Sequence, residues 1–376
     1  MIKKIYYWSP FFSNIATSTA VINSAISLKK YSKNLFEPVI IDVFGEWNDN
    51  LNLIKENNIK IEKLNLDFFF RKKKINGFLK SRYYQIKIFF LAFFPLLKLI
   101  NKKKPDVIIL HLVTSLPLFL NFFFNLHTKV ILRISGLPKL NFLRKLFWKF
   151  FLKKISIITV PTVATKQYLE NEFKNKKFFL LRDPILNIKN ILKNKNNIRN
   201  VNKKNFVAIG RLTEQKNFYF LVKCFKVLID KDPNICLYII GEGEDHKKIK
   251  DFLITNNLEE NIYLEGYQKD VFSYLMNSHA FILSSLWEDP GFVLIEAAYS
   301  NTLLISSDCK NGPREILNYG KNGFLYKSNN IDDFIKTFKI FQTSSINSIY
   351  QKKINAKKMS KNFTIYSHYL NLIKIL

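Results

Sequence analysis

The feature that most constrains this chain is an alternation that runs through it twice. Short, β-branched, near-continuous apolar runs are separated by longer stretches with helical periodicity. KKIYYW (3–8), PVIIDVF (38–44), PDVIILH (105–111), KVILRIS (129–135) and ISIITVP (155–161) read as strands. Runs of this kind, bounded by Pro, Asn, Lys or Gly, suit parallel strands covered on both faces. Between them lie stretches such as SNIATSTAVINSAISLKKY (13–31), which repeat apolar residues at helical spacing. Alternating strands and helices predict a doubly wound α/β layer.

Residues 186–205, LNIKNILKNKNNIRNVNKKN, break the rhythm with Asn and Lys and read as a linker. The alternation then resumes with NFVAIG (205–210), ICLYIIG (235–241), NIYLEG (261–266), HAFILSS (279–285) and TLLISS (302–307). QKNFYFLVKCFKVLID and DHKKIKDFLITNN fill two of the gaps as amphipathic helices. At 376 residues two domains are expected. The division predicted is 1–195, 196–350, and terminal helices over 351–376 that pack back on the first domain.

Composition narrows the function classes. Net charge is +30, which favours polyanionic partners: nucleic acid, anionic membrane or phosphorylated small molecules. The chain is also rich in Lys, Asn, Ile and Phe, so compositional drift stands beside function as a source of the charge. Three cysteines, Cys224, Cys236 and Cys309, form no C-x-x-C pair. They indicate neither a disulfide framework nor a thiolate metal site, and read as buried apolar residues of a reducing, cytoplasmic compartment. The N-terminal apolar run is broken by Ser9, Pro10, Ser13 and Asn14, which favours a first strand over a signal peptide. IKIFFLAFFPLLKLI (86–100) is shorter than the ~20 residues of a membrane span and carries Lys87, Pro95 and Lys98.

The chemistry-bearing residues gather in the second half. AIGRLTEQKN (208–217) ends a strand at Gly210 and sets Arg211 and Lys216 before a helix. Ligands of open α/β sheets bind beyond the carboxyl ends of the strands. There Arg as a fork and Lys as a point charge can clamp a diphosphate; either alone also reads as a solvated surface charge. LWEDPGFVLIEAAYS (286–300) passes from strand through a turn into a helix. The free N–H groups of Gly291, Phe292 and Val293 at the helix start make an anion site. Glu288 sits in the turn and Glu296 further along the helix, both able to accept from sugar or ribose hydroxyls. Two unrelated surface acids remain the alternative.

GRLTEQKN, IIGEGE, EGYQKD, SSLWEDPGFVLIEAAYSN and GPREILNYGKNGFLYK occur in an order that resembles glycosyltransferase family 4. The resemblance covers 205 to about 330 strongly, and the first half by architecture and a few positions. It implies the GT-B fold, an α/β fold of two Rossmann-like domains facing a cleft, with a C-terminal helix returning to the N-terminal domain. It implies a retaining hexosyltransferase-type enzyme with a nucleoside-diphosphate sugar as donor substrate, no tightly bound cofactor and no metal. Arg211 and Lys216 would hold the donor diphosphate beside Gly210 and the Gly291–Val293 amides. Glu288 would bind sugar hydroxyls, Glu296 the ribose, and Gly266 with Tyr267 would lie near the base. His111, ending PDVIILH, stands where the family often has a histidine facing the sugar; a packing role is the other reading. At Ser135 many relatives carry a histidine, and the first loop, WSPFFSNIATST, lacks the family's glycine pair, which leaves Ser18 and Thr19 as candidate hydroxyl donors.

Asp230-Lys231-Asp232 falls at a helix end before Pro233 and reads as a solvated turn. FFFRKKKINGFLKSRYYQIKIFF (68–90) and KLNFLRKLFWKFFLKK (139–154) interleave Phe, Trp and Leu with cations. In the second, Leu140, Leu143, Leu146, Phe147, Phe150 and Phe151 are expected on one face, the pattern of an interfacial helix on anionic lipid. The expected enzyme is thus peripheral on the inner face of the membrane. Its acceptor would be a glycan or lipid-linked precursor of cell-surface polysaccharide or lipopolysaccharide. An epimerase or phosphorylase on the same fold, and a nucleic-acid binder, are the competing readings; the second leaves the carboxylates unexplained, and no nucleic-acid partner is expected.

Overall fold

The computed structural model describes residues 2–12, 16–70, 78–111, 115–124, 126–138, 140–187 and 203–376. The chain divides into two compact units, Met1–Ile185 with Ile365–Leu376, and Leu186–Thr364.

The first unit is built on seven parallel strands: β1 (Lys3–Trp8), β2 (Phe36–Asp42), β3 (Lys60–Lys63), β4 (Val107–Leu110), β5 (Lys129–Arg133), β6 (Ile157–Val160) and β7 (Phe178–Leu180). Their order is β3-β2-β1-β4-β5-β6-β7. The order turns back between β1 and β4, where Tyr7 pairs with Ile109. The unbroken apolar runs now have their reason. Tyr6, Trp8, Ile108 and Leu110 enter one core, while Ile5, Tyr7 and Ile109 enter the core on the opposite face. Side chains alternate across a strand, so a sheet with both faces covered needs apolar residues at every position.

The helix Ala16–Tyr31 lays Val21, Ile22, Ala25 and Ile26 on one face of this sheet. On the other face the helices Phe78–Leu91 and Phe93–Lys103 bury Ile88, Leu96 and Ile100. These two meet at a 50° bend, and among the described residues no single helix is long and apolar enough to cross a membrane.

The second unit has six parallel strands: β8 (Lys204–Ile209), β9 (Ile235–Ile240), β10 (Ile262–Gly266), β11 (Ala280–Leu283), β12 (Leu303–Ser307) and β13 (Phe324–Tyr326). Their order is β10-β9-β8-β11-β12-β13, with the reversal between β8 and β11. The helix Phe218–Ile229 buries Phe218, Leu221, Val222, Phe225 and Leu228 at helical spacing. Its Phe225 meets Phe206 of β8 and Phe334 and Phe338 of the helix Ile331–Thr343. Cys224, Cys236 and Cys309 are free and buried.

The expected boundary between residues 195 and 196 lies outside the described residues, and two other expectations are corrected. The helix Ile346–Ser360 stays with the second unit, where Lys352 Nζ donates to the carbonyls of Gly320 at 2.5 Å and Gly323 at 3.1 Å. Only Ile365–Leu376 joins the first unit, where Tyr366 and Tyr369 pack their rings on Tyr31. Within 139–154 the apolar face is not single. Leu140, Phe147 and Phe151 pack against the core around buried Trp148, whereas Leu143, Leu146 and Phe150 are exposed together with Phe142. The helix spans Phe142–Phe151, and its apolar residues surround it too widely for one stripe.

Candidate functional site

In the second unit β8 and β11 are neighbours at the strand-order reversal, so their carboxyl ends open the crevice where doubly wound sheets bind ligands. The loop after β8 carries Arg211 and Lys216; the loop after β11 carries Ser284 to Gly291. The two loops are stitched together. Leu286 N–H donates to the Gln215 carbonyl at 2.8 Å, Gln215 Nε2 to the Trp287 carbonyl at 3.0 Å, and Ser284 Oγ to the Lys216 carbonyl at 2.7 Å.

This stitching sets Lys216 Nζ 2.6 Å from Glu288 Oε1, with the two side chains only 14% and 5% exposed. Ser285 Oγ donates to the same carboxylate oxygen at 2.5 Å. Gly210 makes room for this arrangement: a Cβ there would stand 3.1–3.3 Å from the Lys216 side chain. Arg211 is exposed and has no ion-pair partner among the described residues. The crevice therefore presents one neutralised cation and one open cation. Sequence reasoning had placed Lys216 and Glu288 on different parts of a ligand, and the structure brings them into one pair.

Beyond Glu288, Asn311 Nδ2 donates to Asp289 Oδ1 at 2.5 Å, and the Asp289–Pro290 peptide is cis. The helix begins at Phe292, and Gly291 caps it at φ +100°, a left-handed conformation that glycine adopts without a Cβ penalty. The first N–H groups of the helix Phe292–Tyr299 have no partner within it. Glu296, on that helix, is half-buried, and its carboxylate has no hydrogen-bond partner among the described residues. Burial pushes its pKa up to about 7. Gly266 closes β10 at φ +66°, its carbonyl accepting from Gly241 N–H at 2.8 Å, and Tyr267 is 74% exposed. Both stand at the sheet edge, with β9 between them and β8.

Asp230 and Asp232 are held by lysines, Asp230 by Lys226 at 2.9 Å and Asp232 by Lys204 at 2.8 Å. Among the described residues no group of three His, Cys, Asp or Glu could hold a metal ion.

The first unit's own reversal point holds His111, directly after β4, with its N–H donating to the Trp8 carbonyl at 2.7 Å. The ring is 2% exposed, and neither nitrogen has a partner among the described residues. Burial first, then the charge of Arg133, holds its pKa well below the usual histidine value, so the ring is neutral. Ser9 Oγ, after β1, and Ser135 Oγ, after β5, are likewise buried without a partner among the described residues. Arg133 is not available to a ligand. It forms a buried ion pair with Asp183, Nε at 3.0 Å from Oδ1, and donates to the Leu181 carbonyl at 3.0 Å. Ser18 is buried and Thr19 exposed on the first helix, while residues 13–15 of the preceding loop lie outside the described residues.

Sequence reasoning missed Asp183 and a buried chain through His368. His368 Nδ1 lies 2.8 Å from the Arg182 carbonyl, which can only accept, so that nitrogen carries the proton. Nε2 then accepts from Ser24 Oγ at 2.9 Å, and Ser24 Oγ accepts from Tyr7 O–H at 3.0 Å. Residues so far apart in sequence leave no local signal.

Residues 189–362 match the family described as glycosyl transferases group 1. An uncharacterized glycosyltransferase of Methanocaldococcus jannaschii is 36% identical over 269 residues, covering 62% of this chain and 66% of the relative. A poly(ribitol-phosphate) alpha-N-acetylglucosaminyltransferase of Staphylococcus aureus is 28% identical over 48% of this chain and 35% of its own length. The chain thus spans less than two thirds of these relatives' lengths. Among solved structures, TarM is similar with a TM-score of 0.77, 16% identity and coverage of 100% of this chain and 99% of that one. HepE of Anabaena, in a complex with UDP and glucose, is similar with a TM-score of 0.68 at 14% identity, covering 100% of this chain and 99% of that one. The fold is that of these GT-B structures.

Proposed function

We propose that the chain is a retaining glycosyltransferase. It moves a sugar from a nucleoside-diphosphate sugar to a glycan or lipid-linked acceptor in the synthesis of cell-surface polysaccharide or lipopolysaccharide. The observation that carries this reading is the buried Lys216–Glu288 pair at the β8/β11 reversal, with the uncompensated cation of Arg211 on the same loop.

In this reading the donor diphosphate lies against Arg211, the Lys216 ammonium and the free N–H groups of Gly291, Phe292 and Val293. Arg211 supplies a planar fork and Lys216 a point charge. Glu288, already oriented by Ser285 and Lys216, accepts from sugar hydroxyls. Glu296, with its open carboxylate, accepts from the ribose, and Gly266 with exposed Tyr267 lies along the base. His111, neutral and unpaired among the described residues, is the first unit's candidate polar group for a ligand at that unit's own strand-order reversal. As the glycosidic bond breaks, negative charge grows on the departing diphosphate. The cations and helix amides stabilise that charge in place, so catalysis is positioning and electrostatics. A departing diphosphate held on the face from which the acceptor attacks retains configuration without a protein nucleophile.

Relatives named for transfer to poly(ribitol-phosphate) and to lipopolysaccharide support the acceptor class. Neighbours solved with UDP make UDP-sugars the first donors to try. The test is a panel of nucleotide sugars incubated with and without extracted lipid-linked glycans, reading nucleotide release and, by NMR, the anomeric configuration of the product. Acceptor-dependent release with retained configuration is expected. Acceptor-independent conversion of the donor into an epimer sinks the proposal. Release that requires added divalent metal removes the electrostatic role given to Arg211 and Lys216.

A further inference from the structure

The described part of the first unit carries a surface unlike the rest. Phe94 is 76% exposed at the start of the helix Phe93–Lys103. From it, rings touch in series across three helices. Phe94 meets Phe93 at 5.1 Å between centroids, and Phe93 meets Phe119 of the helix Ser115–Phe123 at 6.1 Å. Phe119 meets Phe123 at 4.5 Å, Phe123 meets Phe122 at 5.1 Å, and Phe122 meets Phe150 at 4.4 Å. Phe150 leads along the helix Phe142–Phe151 to Leu146, Leu143 and Phe142, the last two 73% and 80% exposed. A soluble surface seldom leaves a connected run of large apolar side chains in water without a use for it.

The charge around this surface is predominantly positive. Between Asp67 and Glu170 the sequence has one acidic residue, Asp106, and it accepts the backbone N–H of Lys4 at 2.7 Å. Lys98, Lys149 and Lys153 are exposed on the same helices or at their ends and have no ion-pair partner among the described residues. Lys145 is different, because it pairs with Glu172 at 2.5 Å.

We propose that this face docks on an anionic lipid bilayer, with Phe94, Phe142, Leu143 and Leu146 at the boundary of headgroups and acyl chains and the lysines at the lipid phosphates. Exposed aromatic and leucyl side chains gain by entering that boundary, and cations beside them gain from a negative surface. The proposal redraws the membrane face expected from sequence: Leu140, Phe147 and Phe151 leave it for the core, and Phe94 and Phe142 enter it. It goes beyond the transfer reading and stands without it, since donor binding belongs to the second unit.

The full chain is sedimented with phosphatidylcholine vesicles with and without phosphatidylglycerol, at low and high salt. Two variants are compared. One replaces exposed apolar residues (Phe94→Ser, Phe142→Ser, Leu143→Ser); the other reverses exposed charges (Lys149→Glu, Lys153→Glu). Circular dichroism and calorimetric UDP binding report fold and the second unit in each, and a variant that fails to fold leaves the other as the test. The wild type is expected to sediment with phosphatidylglycerol vesicles alone and to be released by salt, and each variant to lose about tenfold in partitioning with UDP binding unchanged. A wild type that stays in the supernatant, or a folded variant that binds vesicles as the wild type does, overturns the proposal. So does a wild type that ignores vesicles but binds single-stranded RNA through the same residues, which makes the face a nucleic-acid surface.

Discussion

Lys216 Nζ and Glu288 Oε1 lie 2.6 Å apart in a nearly dry crevice, contributed by loops 72 residues apart in sequence. Removing one partner leaves the other charge buried alone, which costs about 3–5 kcal/mol. Lys216→Met is therefore expected to destabilise the second unit by about 3 kcal/mol as well as weaken nucleotide binding. Replacing both residues (Lys216→Met with Glu288→Gln) is expected to recover much of the stability and none of the binding. Denaturant unfolding of the two singles and the double forms the cycle. Additive losses in stability mean that the pair is not coupled in the protein.

Arg211 is the cleaner probe of the diphosphate assignment. It is exposed and unpaired among the described residues, so Arg211→Ala should leave unfolding within about 0.5 kcal/mol of wild type. Its charge-assisted contact is worth roughly 1.5–3 kcal/mol, so UDP affinity should fall at least about tenfold. Calorimetric titration reads this directly. Equal affinity in variant and wild type removes Arg211 from the site.

The buried chain through His368 makes a prediction about stability alone. His368→Ala leaves the Arg182 carbonyl and the Ser24 hydroxyl without the ring between them, and each unsatisfied buried group costs about 1–3 kcal/mol. His368→Phe keeps the volume and should still destabilise the first unit. Tyr7→Phe should cost less, because Tyr7 only donates at the end of the chain and Ser24 keeps its bond to His368. If the Tyr7 and His368 variants unfold alike, the order of the chain is wrong. The low pKa of His368, pushed down to about 3 by burial, means the ring is neutral at every working pH. Because the unfolded ring still takes up a proton below 6.5, stability should rise with pH between about 3 and 6.5 and level off above it.

What the sequence made legible follows from which interactions are local. Both sheets were visible because full burial demands apolar residues at every strand position, and that leaves an unbroken run. The edge strands β3, β7 and β13 were not, because they are short; Lys60–Lys63 lies largely at the surface and carries three charged residues to one apolar. The Glu288 turn was legible because a strand, a turn and a helix start occupy consecutive residues. The Lys216–Glu288 pair, the Arg133–Asp183 pair and the His368 chain were not, because strand order decides which distant loops meet. The split of the Phe142–Phe151 helix into core and exposed sides depended on where that helix docks, which its own periodicity does not encode.

Glu296 ties nucleotide binding to pH. Its pKa, about 7 against an ordinary 4.5, is raised by burial, so near neutrality the free protein is a mixture of acid and carboxylate. A ribose hydroxyl donates to the carboxylate, so binding favours the charged form and draws the proton off. Nucleotide affinity should therefore be highest above pH 7 and decline as pH falls through 7, by up to about tenfold per unit well below it. The linkage to folding has the opposite sign. A carboxyl whose folded pKa is raised favours the folded state fully below the unfolded value near 4.5, and that contribution is lost as pH rises through 7. Without ligand, then, the second unit should lose stability across the range in which it gains affinity. UDP has its own ionisation near this range, so the measurement is a comparison: calorimetric affinity from pH 5.5 to 8.5 for wild type against Glu296→Gln. The ratio of the two should rise with pH and level off above 7, since the amide oxygen accepts a hydroxyl without titrating. A ratio constant across the range separates Glu296 from the ribose.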